Sequence, residues 1–473
     1  MKLTPSPGNS ISIRLRHPDD ARIFSNIVSA VADAGGGIGA IEVVSSDRTH
    51  ITRDIAINTI GGDQPARIEA AVRAVANVDV ISVHDCTFKL HEGGKLDVVS
   101  KSPLKDYVDL SMAYTPGVAR ICTAIHENPA LAREYTIRRN TVGIVTDGTA
   151  VLGLGNIGAL ASLPVMEGKA VLFKEFGGVN AFPVCVDTTD ADQLFETARA
   201  VAVTFGGINL EDIAAPVCFE IERRLTEAVD IPVFHDDQHG TAVVVGAAFI
   251  NAVKVTGKDP AKMRAVVCGA GAAGCACTRA LMDLGVGDIV VTDRQGAIYR
   301  GRPGLTESKA WLAKVTNKAN MQGALKEVLA GADLFLGLSG PNLLTGADIR
   351  TMAEGPIVFA LSNPTPEVPP EEVMDYASVV ATGRSDYPNQ INNVLCFPGL
   401  FRGILESGVK RVTREMLTAA AHAIASVIDP AELRPDYIIA SAFNQNVGAA
   451  VANAVKTVAA DENLPKTPIY FEF

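Results

Sequence analysis

The sequence predicts an α/β protein in three parts: a ferredoxin-like βαββαβ unit, an α/β middle domain, and a Rossmann-type doubly wound domain. Three observations carry this. Residues 1–90 alternate strand and helix periodicities in the order βαββαβ. A glycine-rich turn, Gly269-Ala270-Gly271-Ala272-Ala273-Gly274, directly follows an apolar strand and opens a helix. The length of 473 residues corresponds to about three domains at roughly 100–200 residues each.

In the first unit, Ile11 to Leu15 reads as a strand and Asp19 to Ala34 as an amphipathic helix. Ala40 to Ser46 and Ile51 to Thr59 read as strands, Gln64 to Ala76 as a helix, and Val78 to Phe88 as the closing strand. Gly35-Gly36-Gly37 falls where close backbone approach or positive φ suits only glycine. The element order resembles the ACT domain, a module that pairs at dimer interfaces and binds an amino acid there. The resemblance is one of topology, and it leaves both a regulatory ligand and simple dimerisation open.

Residues 91–109, with Gly93-Gly94 and Pro103, read as a linker. The middle domain is expected over 110–256, closed by Gly257-Lys258-Asp259-Pro260, and the nucleotide domain over 257–473. The latter opens with Met263 to Cys268 as a strand, Gly274 to Leu284 as a helix and Ile289 to Thr292 as a second strand. Arg414 to Ala459 is Ala-rich and helical in period, broken by Pro430 and Pro435.

Composition excludes several classes. A net charge of −11 argues against a nucleic-acid partner. The hydrophobic and charged fractions, 48% and 20%, belong to a folded globular chain. The longest apolar stretch, Ala242 to Val253, is interrupted by Asn251 and falls short of the roughly 20 residues that span a bilayer. The first eight residues, Met1 to Gly8, lack the apolar core of a signal peptide, so a cytoplasmic protein is expected. The 8 cysteines show no zinc or redox spacing, Cys275 and Cys277 being the nearest pair, and read as reduced core thiols.

Two patterns point to chemistry. In Gly269 to Gly274 the glycines permit a tight turn and close approach of a pyrophosphate, and the following helix N-terminus offers N–H donors. Asp293, at the end of the next strand, is placed to accept from ribose hydroxyls, which favours NAD over NADP, although adjacent Arg294 offers a partner for a 2′-phosphate. The similar Gly153-Leu-Gly155-Asn-Ile-Gly158 has no such acid. Pro164 argues against a clean helix over Ala161 to Gly168, so this stretch reads as a backbone nest for carboxylate or phosphate oxygens. The acidic pairs Glu211-Asp212 and Asp236-Asp237 form the second pattern. The latter lies between apolar runs, where hard oxygen ligands converging on Mg²⁺ or Mn²⁺ would account for it. His235 and His239 are expected to be structural rather than zinc ligands.

Taken together, Tyr114-Thr-Pro-Gly-Val118, Thr146 to Gly158, Met166-Glu-Gly-Lys169, Leu210-Glu-Asp-Ile213, His235 to Thr241, Leu361-Ser-Asn-Pro-Thr365 and Asn392-Asn-Val-Leu-Cys-Phe-Pro-Gly399 resemble malic enzyme. The likeness is to the shorter bacterial type, runs from about Lys105 to the C-terminus, and carries an ACT-like domain in front. The resemblance implies oxidative decarboxylation of L-malate to pyruvate and CO2 with NAD, NADP being the second candidate, and a divalent cation. It implies Tyr114 as general acid, Lys169 as general base and Asp236 as the carboxylate that tunes it. Glu211, Asp212 and Asp237 are implied as metal ligands, and Asn363 and Asn393 as contacts to malate, with Asn363 also on the nicotinamide side. A homodimer or higher homo-oligomer with an amino-acid or metabolite effector follows from the same likeness.

Such chemistry needs Lys169 neutral near pH 7, its pKa depressed by burial or by the cation. Tyr114 stays protonated and gives its proton to C3. Larger malic enzymes carry a carboxylate-binding arginine at a position that is Ala150 here. A catalytically silent nucleotide sensor and an amino-acid dehydrogenase are the competing readings. The first predicts loss of some of these residues, and the second has no need of three metal-binding carboxylates.

Overall fold

The structure, a computed structural model, describes residues 5–151 and 153–473. Residues 1–4 of the Met1 to Gly8 stretch, and Leu152 of the Thr146 to Gly158 motif, lie outside the described residues. The chain divides into two compact units, Met1–Asp97 and Val98–Phe473.

The first unit is, among the described residues, a four-stranded antiparallel sheet with three helices. It runs β1 (Ser6–Pro18), helix Ala21–Asp33, β2 (Gly37–Ser46), β3 (His50–Thr59), helix Gln64–Arg73 and β4 (Asp79–Asp85). The spatial order is β2-β3-β1-β4, the ferredoxin-like arrangement. Ile13 pairs with Ile55 on one side and Val83 on the other, and its side chain joins Leu15, Ile27, Ile57, Ile68 and Val72 in a buried core. Gly36 is required there, because a Cβ would lie 2.9 Å from side-chain atoms of Val31, Ile57 and Ile68. The closing strand is shorter than the alternation to Phe88 predicts. Asp85 accepts from the backbone N–H groups of Thr87 and Phe88 and starts a helix, Cys86–His91, in place of three strand residues.

The second unit contains two sheets. The first is parallel, β5 (Thr141–Thr146), β6 (Asn180–Cys185), β7 (Gly207–Leu210) and β8 (Val233–His235), in the order β6-β5-β7-β8. The second comprises β9 (Arg264–Cys268), β10 (Asp288–Asp293), β11 (Gly296–Ala297), β12 (Leu334–Gly337), β13 (Ile357–Ala360) and β14 (Val379–Thr382). Its order, β11-β10-β9-β12-β13-β14, reverses direction at β9, and only β11 runs antiparallel. This is a doubly wound sheet whose switch point lies beyond the carboxyl end of β9.

A common core welds the two sheets. Phe173 packs against Phe397 and Phe401 with centroids 4.7 and 5.3 Å apart, and Phe234 meets Phe401 at 5.7 Å. Helix Thr241–Thr256 crosses this core. With its preceding turn it makes a 21-residue segment, Asp236–Thr256, long and apolar enough to span a bilayer, which corrects the expectation drawn from the shorter run Ala242 to Val253. Its 18-residue apolar window is 67% buried inside the protein, and Asn251 donates to the carbonyls of Ala425 and Ile438, so its apolar character is that of a core helix.

Two further expectations change. Helix Ala159–Gly177 runs unbroken through Pro164. The proline falls in the second turn, where it removes one backbone bond, while burial of Met166, Ala170 and Phe173 holds the rest of the helix in place. The segment 91–109 is not wholly irregular, since Asp106 caps helix Tyr107–Ala113 by accepting from Val108 and Asp109 N–H groups. Near the C-terminus, helices Arg414–Ser426 and Asn446–Ala460 flank a loop carrying Pro430 and Pro435. Cys218, Cys268, Cys275, Cys277 and Cys396 are buried free thiols.

Candidate active site

Parallel pairing of β7 with β8 sets Leu210 opposite His235, so the two acidic pairs that follow emerge side by side at the carboxyl edge of the sheet. Asp212 adopts φ +54°, and its N–H donates to Asp237 Oδ2 at 2.8 Å. Glu211, Asp212 and Asp237 thereby converge, each offering one carboxylate oxygen, with those atoms all within 4.8 Å of one another. Asn209, buried on β7, donates to Glu211 Oε2 at 2.9 Å and fixes its rotamer. Three hard oxygens fit Mg²⁺ or Mn²⁺ better than zinc.

Asp236 turns away from this cluster. A π-helical turn, Asp236–Gly240, directs its Oδ2 onto Lys169 Nζ and places it 3.1 Å from Asn393 Nδ2. Lys169 projects from helix Ala159–Gly177, is only 9% exposed, donates to Glu211 Oε1 at 2.9 Å, and stands 4.1 Å above the Phe397 ring. Burial alone lowers the lysine pKa, but the charges of Asp236 and Glu211 outweigh it and hold Lys169 above the ordinary lysine range. Burial does not by itself depress Lys169, because two carboxylates touch the ammonium, and the cation of the expectation is the remaining source of depression. Burial also pushes the Glu211 carboxyl well up, opposed by Lys169 and reinforced by Asp237, Asp236 and Asp212.

Both histidines are held by Glu222, and His235 Nδ1 stands 3.7 Å from Asp237 Oδ2. Glu222, on helix Val217–Ala228, lies 2.9 Å from His239 Nε2 and accepts from the His235 N–H at 3.1 Å. Neither histidine belongs to the converging carboxylate group. The glycine nest is positive in φ at Gly153, Gly155 and Gly158. A Cβ on Gly153 would stand 3.1 Å from the Asn363 carbonyl oxygen, so this loop and the one after β13 adjoin. The Ala150 N–H donates to the Asp212 carbonyl, tying the nest to the acidic cluster. Among the described residues no hydrogen bond joins Tyr114 to Lys169. Tyr114 caps helix Tyr107–Ala113 with its side chain outward, 69% exposed.

The dinucleotide loop lies at the switch point. Helix Ala272–Asp283 starts at Gly271, and a Cβ on Gly274 would collide with the Gly269 carbonyl oxygen, so helix and turn pack as closely as a pyrophosphate cradle requires. Gly269, Ala270, Gly271, Asp293 and Arg294 line an open cavity of about 570 Å³. Asp293 is not free as expected, because Arg302 and Lys309 both donate to its carboxylate. These two cations stand 9 and 16 residues further on with no motif to announce them. Glu222 likewise escapes sequence reading, Thr241 and Phe397 enter it only inside quoted motifs without a role, and Asn209 leaves a trace as a polar residue inside the short apolar strand β7.

Fold and site together define an α/β dinucleotide-dependent oxidoreductase that carries a candidate acidic metal site. Family comparison agrees. The malic enzyme N-terminal domain matches residues 93–226 and the malic enzyme NAD-binding domain matches residues 238–460. The chain is 50% identical to the NAD-dependent malic enzyme of Geobacillus stearothermophilus over 98% of both chains. It is 50% identical to the bifunctional malic/malolactic enzyme of Bacillus subtilis over 82% of this chain and 96% of that one. Among solved structures, the NAD-dependent malic enzyme of Thermotoga maritima superposes with a TM-score of 0.76 at 45% identity, covering 79% of this chain and 99% of that one. The chain belongs to the malic enzyme family, whose members oxidatively decarboxylate malate with NAD(P).

Proposed function

We propose that Lys169 is the general base toward the C2 hydroxyl of L-malate and that Asp236 is its proton partner. The single observation that carries this is the placement of Lys169 Nζ between Asp236 and Glu211, at the rim of the carboxylate cluster. A cation held by Glu211, Asp212 and Asp237 would supply Lewis-acid polarisation of the substrate oxygens and positive charge against the ammonium. Lys169 passes a proton from Nζ to Asp236 Oδ2 and takes the C2 hydroxyl proton, and NAD held over Gly269 to Gly274 would supply the hydride acceptor. Loss of the C4 carboxyl as CO2 leaves C3 to be protonated, a role assigned to Tyr114 on the strength of the Tyr114-Thr-Pro-Gly-Val118 motif. Asn393, fixed on Asp236 and Thr241, and Asn363 are assigned to malate, Asn363 also to the nicotinamide side.

NAD bound over Gly269 to Gly274 with Mg²⁺ or Mn²⁺ is the cofactor set of this reading, and 1–90, 91–109, 110–256 and 257–473 are its functional divisions. The N-terminal unit is assigned a regulatory and homodimerising role of ACT type. Its support is edge strand β2, which leaves Ile41, Val43 and Val44 exposed. The test of the base is Lys169→Met: turnover is expected to fall about 10²–10⁴-fold while Mn²⁺ and dinucleotide binding persist. Turnover at the wild-type rate would assign the proton elsewhere.

A further inference from the structure

An open cavity of about 720 Å³ lies where helix Phe397–Ser407 ends against the segment leading into β5. Lys101, Arg133 and Arg139 line it, together with Glu134, Glu406 and Gly408. None of these residues belongs to the carboxylate cluster, the partners of Lys169 or the dinucleotide loop.

The cations are not matched by acids. Glu406 is already held by Arg402 Nε at 3.0 Å and by Lys456 Nζ at 2.7 Å, and Glu134 faces the hydroxyl of the neighbouring Tyr135. Among the described residues the side chains of Lys101, Arg133 and Arg139 make no hydrogen bond or ion pair. Arg138, between the two lining arginines in sequence, is by contrast tied down by donating through Nε to the Phe205 carbonyl at 3.0 Å. Arg133 is half-buried, and a Cβ on Gly408 would collide with its guanidinium. The left-handed turn that ends the helix, φ +71° at Gly408, thus also leaves the space in which the guanidinium rests. Burial and the charge of Arg139 both push Arg133 below the ordinary arginine range. The carbonyl end of a helix accommodates one cation, but a second guanidinium and an ammonium on the same cavity call for a counterion that the chain does not provide.

We propose that this cavity is a binding site for a small polyanion, a phosphorylated or polycarboxylate metabolite with at least two oxyanion groups. Two guanidinium forks pair with oxyanion edges, and Lys101 adds a third, flexible charge. Helix Phe397–Ser407 has 11 residues, roughly 16 Å of rise, and its first residue is the ring 4.1 Å beneath Lys169 Nζ. The anion site therefore stands about a helix length from the Lys169 end and is separate from it. The inference is independent of the roles assigned to Lys169 and Tyr114.

Isothermal titration of the full chain with pyrophosphate and with citrate, in metal-free buffer with NAD present to fill the glycine loop, tests it. Saturable binding of at least one probe is expected, weakening as ionic strength rises. Pyrophosphate alone assigns a phosphorylated ligand, citrate alone a polycarboxylate, and both together a compact polyanion of either kind. Arg133→Gln should weaken binding at least about tenfold, the equivalent of one charge-assisted contact. Arg139→Gln, at an exposed position, should weaken it likewise while the Tm and the probe-free turnover of malate stay at the wild-type values. Absence of saturable binding with both probes overturns the site. Binding that survives both substitutions at wild-type strength overturns it as well, because the anion would then sit elsewhere on the chain.

Discussion

Asn393 Nδ2 donates to Asp236 Oδ2 at 3.1 Å across 157 residues of sequence. The same amide meets Thr241 Oγ1 at 3.1 Å, so the loop before helix Phe397–Ser407 is fastened to the turn that carries the second acidic pair. Asp236 is consequently held toward Lys169 rather than toward the cation cluster. Two adjacent aspartates acquire different tasks from one turn of backbone.

Asn393→Ala should loosen Asp236 and lower turnover about 10–100-fold, the usual range for loss of a partner that orients a reacting group. A shift in the pH dependence of kcat, with Mn²⁺ affinity retained, distinguishes this positioning role from a general loss of structure. An unchanged pH profile would remove Asn393 from the control of Asp236.

Asp237 is the most open of the three converging carboxylates, with a side chain 37% exposed. Asp237→Ala should abolish Mn²⁺ binding and reduce turnover about 10³-fold or more, since a cation contributes several kcal/mol to such reactions. Circular dichroism should be unchanged, and Mn²⁺ should raise the Tm of the wild type but not that of the variant. Equal stabilisation of both proteins by Mn²⁺ would displace the cation site.

Glu222 supports the site from below. Burial pushes its carboxyl up, but the charge and hydrogen bond of His239, with help from His235, outweigh burial and hold it below the ordinary glutamate range. Its contribution is therefore complete above the unfolded-state value of about 4.3 and is lost as pH falls through the depressed folded value. Glu222→Gln should cost roughly 1–3 kcal/mol at pH 7, with the gap to the wild type closing in acid. Urea unfolding at pH 7 and below pH 4 checks both signs, and identical midpoints at pH 7 would contradict the network.

The chemistry that sits next to its own motif was legible in the sequence. Glu211, Asp212, Asp236 and Asp237 follow two strands, and parallel pairing of those strands does the rest. The Gly269 to Gly274 turn and the βαββαβ order are equally local, governed by backbone sterics and by periodicities of a few residues. Partners supplied from far along the chain were not legible. Arg302 and Lys309 on Asp293, Asn393 on Asp236 and Glu222 beneath the histidines are brought in by tertiary packing. The contact of Lys169 with Glu211 was hidden for the same reason, since burial is foreseeable from an apolar helix but a second carboxylate touching the ammonium is not. Pro164 shows the converse, a strong local signal overridden by the core that helix Ala159–Gly177 joins.

The most direct test of the central claim is absorbance of reduced nicotinamide with the purified chain, L-malate and Mn²⁺, run with NAD and NADP and with or without EDTA. Reduction that requires the cation and forms pyruvate in equal amount is the expected result. Reduction that persists in EDTA, or that yields no pyruvate, would contradict a site in which Lys169 and the Glu211, Asp212 and Asp237 cluster act together on malate.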